Sequence, residues 1–140
     1  MAINNVYKQY KETQINTANQ GKLIVMLYDG AIKFINKALE HMAKKEIEST
    51  HNNIVKAQDI ITELLTSLNM DIGDISKRLF SIYMYINNKL TIANIKKDEK
   101  PLLEVKKYLI ELRDAWDEAS KKNPTVDEKE LTKGGINIAT

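Results

Sequence analysis

Apolar residues recur every three or four positions through four stretches of this chain, and short polar segments separate the stretches. A period of about 3.6 residues can bury a stripe only if the backbone is helical. The pattern therefore commits the chain to packed helices. In the third stretch, Ile75, Leu79, Ile82, Ile86, Leu90 and Ala93 fall within about 80° of one another on a wheel of about 100° per residue. In the fourth, Leu102, Val105, Leu109, Leu112, Trp116 and Ala119 form the main face. The second is conventional: Ile54, Ala57, Ile61, Leu64, Leu65 and Leu68 make its stripe, leaving Lys56, Asp59, Glu63 and Thr66 to water. The first is broader. Its apolar residues fill an arc of about 200°, with Val25, Ile32 and Leu39 along one rim, while Asp29, Lys33, Asn36, Lys37 and Glu40 share a narrow polar sector.

Capping chemistry sets the boundaries. Thr17 stands three residues before Gln20, the spacing of a reciprocal cap, so a first helix is predicted from about 18 to 44. "KKEIEST" is the first link, with Ser49 or Thr50 capping a helix that ends near Leu68, or with a shorter link and a start near Glu46. "NMDIGD" is the next turn, and Asp74 is the expected cap of a helix to about Ile95. Asp98 caps the fourth, leaving Pro101 in its first turn, where a missing N–H costs little. That helix runs to about Ser120. The expected architecture is all-α: an antiparallel up-down four-helix bundle over 18–120, after a flexible N-terminal arm (1–17) and before a disordered polar tail (121–140). Asp29-Gly30 is a turn signal inside the first helix. About seven turns of periodic packing outweigh the ~1 kcal/mol that one helical glycine costs. Such a glycine either admits a close neighbouring backbone or is merely tolerated.

One interior cannot hold all of this apolar surface. Phe80, Met84 and Ile95 lie roughly opposite the main stripe of their helix, and Leu103 and Ile110, seven residues apart, lie well off theirs. A lone exposed apolar residue needs no explanation; aligned ones on several helices read as a partner surface. Burying Phe80, Met84 and Ile95 would contribute on the order of 5–9 kcal/mol gross, part of which association takes back. The expected partner surface is Phe80, Met84, Ile95, Leu103 and Ile110, together with Ile32 and Leu39 of the first helix. In the arm, Tyr7 and Tyr10 are three apart and share one helical face, followed by Ile15. They can dock in the apolar groove until a partner displaces them, or be incidental tyrosines of a frayed terminus.

Reactive chemistry is scarce. The 140 residues include no cysteine, which excludes disulfides, zinc-thiolate sites and thiol nucleophiles. The histidines are His41 and His51. Glu48 precedes His51 at the Glu-x-x-His spacing of di-iron bundles, but Ala38 stands three before His41, so the second copy such a site needs is missing. No glycine-rich phosphate loop is present. The chain reads as a non-enzyme without catalytic residue, metal or cofactor. Its 21 basic and 19 acidic residues interleave, giving a net charge of +2 and no basic stripe for nucleic acid. No window approaches the ~18 apolar residues of a membrane span, and no apolar leader is visible. A cytoplasmic protein without membrane insertion is expected.

The stretches "YKQYKETQINTA", "KLIVMLYDGAIKFINKAL", "NIVKAQDIITELLTSLN" and "YMYINNKLTIANIKKDEKPLLEVKKYLIELRDAW" resemble the flagellin export chaperones, the FliS family, over about 1–120. "MLYDGAI", "KAQDII" and "LRDAW" are its specific signatures; Gln20-Gly21 departs from the proline and glutamate often found there. The resemblance implies a small antiparallel bundle that binds newly made flagellin in the cytoplasm. The client's C-terminal segment, unfolded alone, wraps around it as helices. This prevents premature filament assembly, and the pair is presented to the export gate component of the flagellar type III system. The arm with Tyr7 and Tyr10 is implied to occupy part of the client surface beforehand. On the residues alone, the nearest rival is a helical interaction module that forms a fixed homodimer and has no client.

Overall fold

The structure is a computed structural model that describes residues 20–122. Helix α1 spans Gln20–Ala43, α2 Ile47–Thr66, α3 Asp74–Lys96 and α4 Glu99–Lys122. A 3-10 turn, Met70–Ile72, lies between α2 and α3, and no strand occurs among the described residues. Helix α1 packs against α2 and α4, and α3 packs against the same two, so the helices close a ring in chain order. With links this short each helix runs back along its predecessor, which makes an antiparallel up-down four-helix bundle. Tyr7, Tyr10, Ile15 and Thr17 of the arm, and the tail beyond 122, lie outside the described residues.

Two of the three links reverse the chain by the same device. After α1, Lys45 takes φ +60° and the Glu46 N–H donates to the His41 carbonyl at 3.0 Å. After α3, Lys97 takes φ +51° and the Asp98 N–H donates to the Ala93 carbonyl at 3.2 Å. A left-handed residue followed by an N–H reaching back five positions satisfies the last carbonyls of a helix. Lysine does this here in place of the usual glycine, at roughly 1–2 kcal/mol. The predicted cap of α4 is present: Asp98 Oδ1 accepts from the Lys100 N–H at 3.0 Å, and Pro101 sits in the first turn. The start of α2 takes the shorter of the two links, with Glu46 before the helix. Thr50 is instead buried within α2 and donates its hydroxyl to the Glu46 carbonyl at 2.7 Å. Gly73, not Asp74, holds the position before α3, with φ +111° and ψ −141°. Only glycine occupies that region readily.

The predicted stripes fill the core. Ile75, Leu79, Ile82, Ile86, Leu90 and Ala93 of α3 are buried, as are Leu102, Val105, Leu109, Leu112 and Trp116 of α4. Helix α2 adds Ile54, Ala57, Ile61 and Leu64, together with Ile60, which belongs to no predicted stripe. Leu65, Leu68 and Ala119 pack against this core only partly buried. The wide arc of α1 supplies Leu27, Tyr28, Ala31, Ile35 and Ala38. Gly30 is buried and α1 runs through it unbroken. A phenol hydroxyl taken into a core needs a partner, and those of Tyr28 and Tyr83 hydrogen-bond to each other across the interior.

Candidate functional site

The pitch of α3 that buries Leu79 and Ile86 turns Phe80 and Met84 outward. Phe80 is 42% exposed, Met84 50% and Ile95 76%; on α4, Leu103 is 48% exposed and Ile110 38%. Ile32 and Leu39 are placed differently, half-buried against the core from α1. The five residues expected on α3 and α4 thus lie at the surface while their helices' main stripes, Ala119 only partly, pack inside.

They do not form one groove. The seam between α3 and α4 is closed by a polar and aromatic cluster. Tyr85 Oη donates to Glu104 Oε2 at 2.6 Å, Tyr108 Oη reaches the same oxygen at 3.3 Å, and the two rings meet edge-on at 6.1 Å. Lys89 Nζ lies 3.8 Å from Glu104 Oε1 and 5.5 Å over the Tyr85 ring. On the other side of α3, Gln58 of α2 donates to the Asn87 carbonyl at 3.3 Å and to Thr91 Oγ1 at 2.8 Å. Phe80 shares the wheel sector of Asn87 and Thr91, so it sits on the α2 shoulder of α3. On α4, Glu104 and Tyr108 face α3, whereas Arg113 reaches Asp29 of α1 at 2.8 Å. Leu103 and Ile110 lie nearer that α1 shoulder, where they line a shallow depression of about 390 Å³ with Lys106, Lys107 and Glu111. Two apolar strips result, Phe80–Met84 and Leu103–Ile110, on opposite sides of the closed seam. Ile95 stands apart at the end of α3.

Two carboxylates are more engaged than a helical wheel implies, and two exposed residues lie outside every predicted stripe. Asp29 is exposed but not simply solvated, because its carboxylate pairs with Arg113, which also reaches Asp114 at 3.1 Å. The "MLYDGAI" and "LRDAW" segments therefore meet, and this pair clasps α1 to α4. Asp59, expected to face water, is half-buried, and burial raises its pKa above the ordinary carboxylate value. Tyr85 is a surface residue that no stripe contained: it is 39% exposed, and its hydrogen bond to Glu104, aided by burial, pushes its pKa up to about 12. Met70, also exposed, lies in the 3-10 turn, where no helical period could place it.

Among the described residues, no three His, Asp or Glu side chains come together to hold a metal ion. His41 meets Glu46 at 2.7 Å across the first link, a hydrogen bond that holds the Glu46 carboxyl below its usual range. His51 meets Asn94 at 2.9 Å. No described helix is long and apolar enough to cross a membrane. What the surface offers is a pair of exposed apolar strips on the bundle.

Known proteins match most of the chain. The family model for flagellar protein FliS covers residues 3–123. A flagellar secretion chaperone FliS of Bacillus subtilis (strain 168) is 41% identical over 119 residues, 85% of this chain and 89% of the relative. Its counterpart in Vibrio cholerae is 34% identical over 108 residues, 76% and 79% of the two chains. The one in Escherichia coli (strain K12) is 28% identical over 110 residues, 77% and 81%.

Proposed function

The chain belongs to the FliS family of flagellar secretion chaperones, and we propose that its client is the C-terminal segment of flagellin. In this reading the protein binds that segment in the cytoplasm, keeps it from polymerising early and delivers it to the export gate of the flagellar type III apparatus. One observation carries the reading: Phe80, Met84, Ile95, Leu103 and Ile110 stay exposed on helices whose core stripes are already complete.

The mechanism is coupled folding and binding. A disordered client segment loses conformational entropy when it orders and recovers free energy by burying its apolar helical faces. Strips on two sides of a closed seam suit a client that lies around the bundle in separate helical pieces, better than one that plugs a single pocket. The bundle supplies a preformed template, so the ordering cost falls on the client alone. Tyr7, Tyr10 and Ile15 of the arm occupy part of this surface in the free protein and yield to the client. No cofactor enters the cycle; release is handover at the export machinery.

Titration of the flagellin C-terminal segment against Phe80→Ala combined with Met84→Ala tests the assignment. Losing two partly buried apolar contacts should weaken binding by about tenfold or more. Unchanged affinity in a folded variant removes these residues from the site. Deleting residues 1–14 should leave binding unchanged or tighter, and a large loss would make the arm a contact instead of a competitor.

A further inference from the structure

Building on that reading of the surface, we infer that the Leu103–Ile110 strip of α4 receives a client helix whose apolar face is flanked by acidic side chains. Leu103 and Ile110 stand two turns apart on one line, and the depression they share is bordered by Lys106 and Lys107. On the wheel, Lys106 falls about 50° to one side of that line and Lys107 about 50° to the other. The two ammonium groups thus bracket an apolar floor, and their methylene stems widen it.

Neither lysine has an ion-pair partner among the described residues, although α4 is rich in carboxylates. Farther along the same helix, Arg113 pairs with Asp29 and Asp114, Lys121 with Asp117, and Lys122 with Glu118. The pairing lapses where the helix presents its exposed apolar line. Glu111 is the one carboxylate in the lining, at the far end beside Ile110.

Charge also argues against two other occupants. The chain's own first 17 residues carry Lys8 and Lys11 against Glu12 alone, the wrong sign for this strip. A second copy docking symmetrically through the same face would bring Lys106 and Lys107 toward their own counterparts. An acidic amphipathic helix meets neither objection.

The test is titration of the flagellin C-terminal segment into the full chain at low and high salt. Lys106→Glu with Lys107→Glu should weaken binding about tenfold at low salt, and Lys106→Gln with Lys107→Gln about threefold. Both gaps should narrow in high salt. Lys121→Glu with Lys122→Glu changes net charge equally and should stay within about twofold of the wild type. An unchanged affinity in the 106/107 variants, or an equal loss in the 121/122 variant, overturns the inference and leaves the client reading standing. No binding to the wild-type chain overturns both. Self-association that the 106/107 reversal abolishes would put a second copy on the strip, which also overturns it. Circular dichroism checks folding, and the glutamine pair decides by the same criteria should the glutamate pair not fold.

Discussion

Helices α1 and α3 are nearly equal in length, 24 and 23 residues, and each carries apolar side chains beyond a single stripe. In α1 that surplus is absorbed: Leu23, Ile24 and Val25 are buried, and Ile32, Phe34, Leu39 and Met42 pack half-buried against the core. In α3, Phe80, Met84, Tyr85 and Ile95 remain exposed. The difference lies in where the surplus sits around the helix. On α1 it adjoins the stripe in one continuous arc, so α2 and α4, packed on either flank, can reach it. On α3 the line of Phe80, Met84 and Ile95 is centred more than about 90° from the middle of the stripe, and α2 and α4 meet only the flanks between, through Asn87, Thr91 and Tyr85. Surplus that adjoins a stripe widens a core; surplus that opposes it becomes a surface for something else.

The sharpest way to break this comparison is a pair of adjacent truncations. Leu79→Ala should cost about 2–5 kcal/mol in urea unfolding, as should Ile35→Ala on α1. Phe80→Ala, one residue away, should change stability by less than about 0.5 kcal/mol. Similar losses at 79 and 80 would mean that both lines of α3 serve the fold. A smaller effect is expected inside the core. Tyr28→Phe removes one hydroxyl of the buried pair and should cost about 0.5–1.5 kcal/mol, with Tyr28→Phe plus Tyr83→Phe costing less than the sum of the single changes. Strict additivity in the same unfolding assay would argue that the two hydroxyls do not act together.

Smaller again is the clasp between α1 and α4. The Asp29–Arg113 pair is partly exposed, so Asp29→Asn should cost about 0.2–1 kcal/mol at low salt and nothing measurable near 1 M salt. A loss that persists in high salt would assign Asp29 a role other than pairing. Finest of all is the seam between the strips. The Tyr85 hydroxyl donates to Glu104, and its pKa stands at about 12, above the ordinary phenol value near 10. A folded value above the unfolded one means that this bond's contribution is complete below about pH 10. It fades as pH rises through the folded value. Glu104→Gln should return Tyr85 toward the ordinary value in an ultraviolet absorbance titration, and no movement would detach the tyrosine from that carboxylate.

The core stripes and the surplus lines were legible because a helical period assigns every residue an angle about its own axis. Asp98 as a cap and Pro101 in the first turn were legible because their chemistry is local. The wheel cannot say where neighbouring helices stand. For that reason Phe80–Met84 and Leu103–Ile110 read as one groove, when the cluster of Tyr85, Lys89, Glu104 and Tyr108 divides them. Asp29 and Arg113 are 84 positions apart, and nothing local announces their pairing. The start of α2 was ambiguous because Glu46 is not a favoured cap residue, and the left-handed lysine that makes the short link possible carries no sequence signal.

The central claim concerns a division within one molecule, and methyl-labelled nuclear magnetic resonance reads both sides at once. Isoleucine and methionine methyls are labelled in the full chain, and the flagellin C-terminal segment is added. The signals of Met84, Ile95 and Ile110 should shift or broaden, while those of the buried Ile35, Ile54 and Ile86 stay within small perturbations. Uniform movement of buried and exposed methyls, or movement confined to the buried set, would contradict the account.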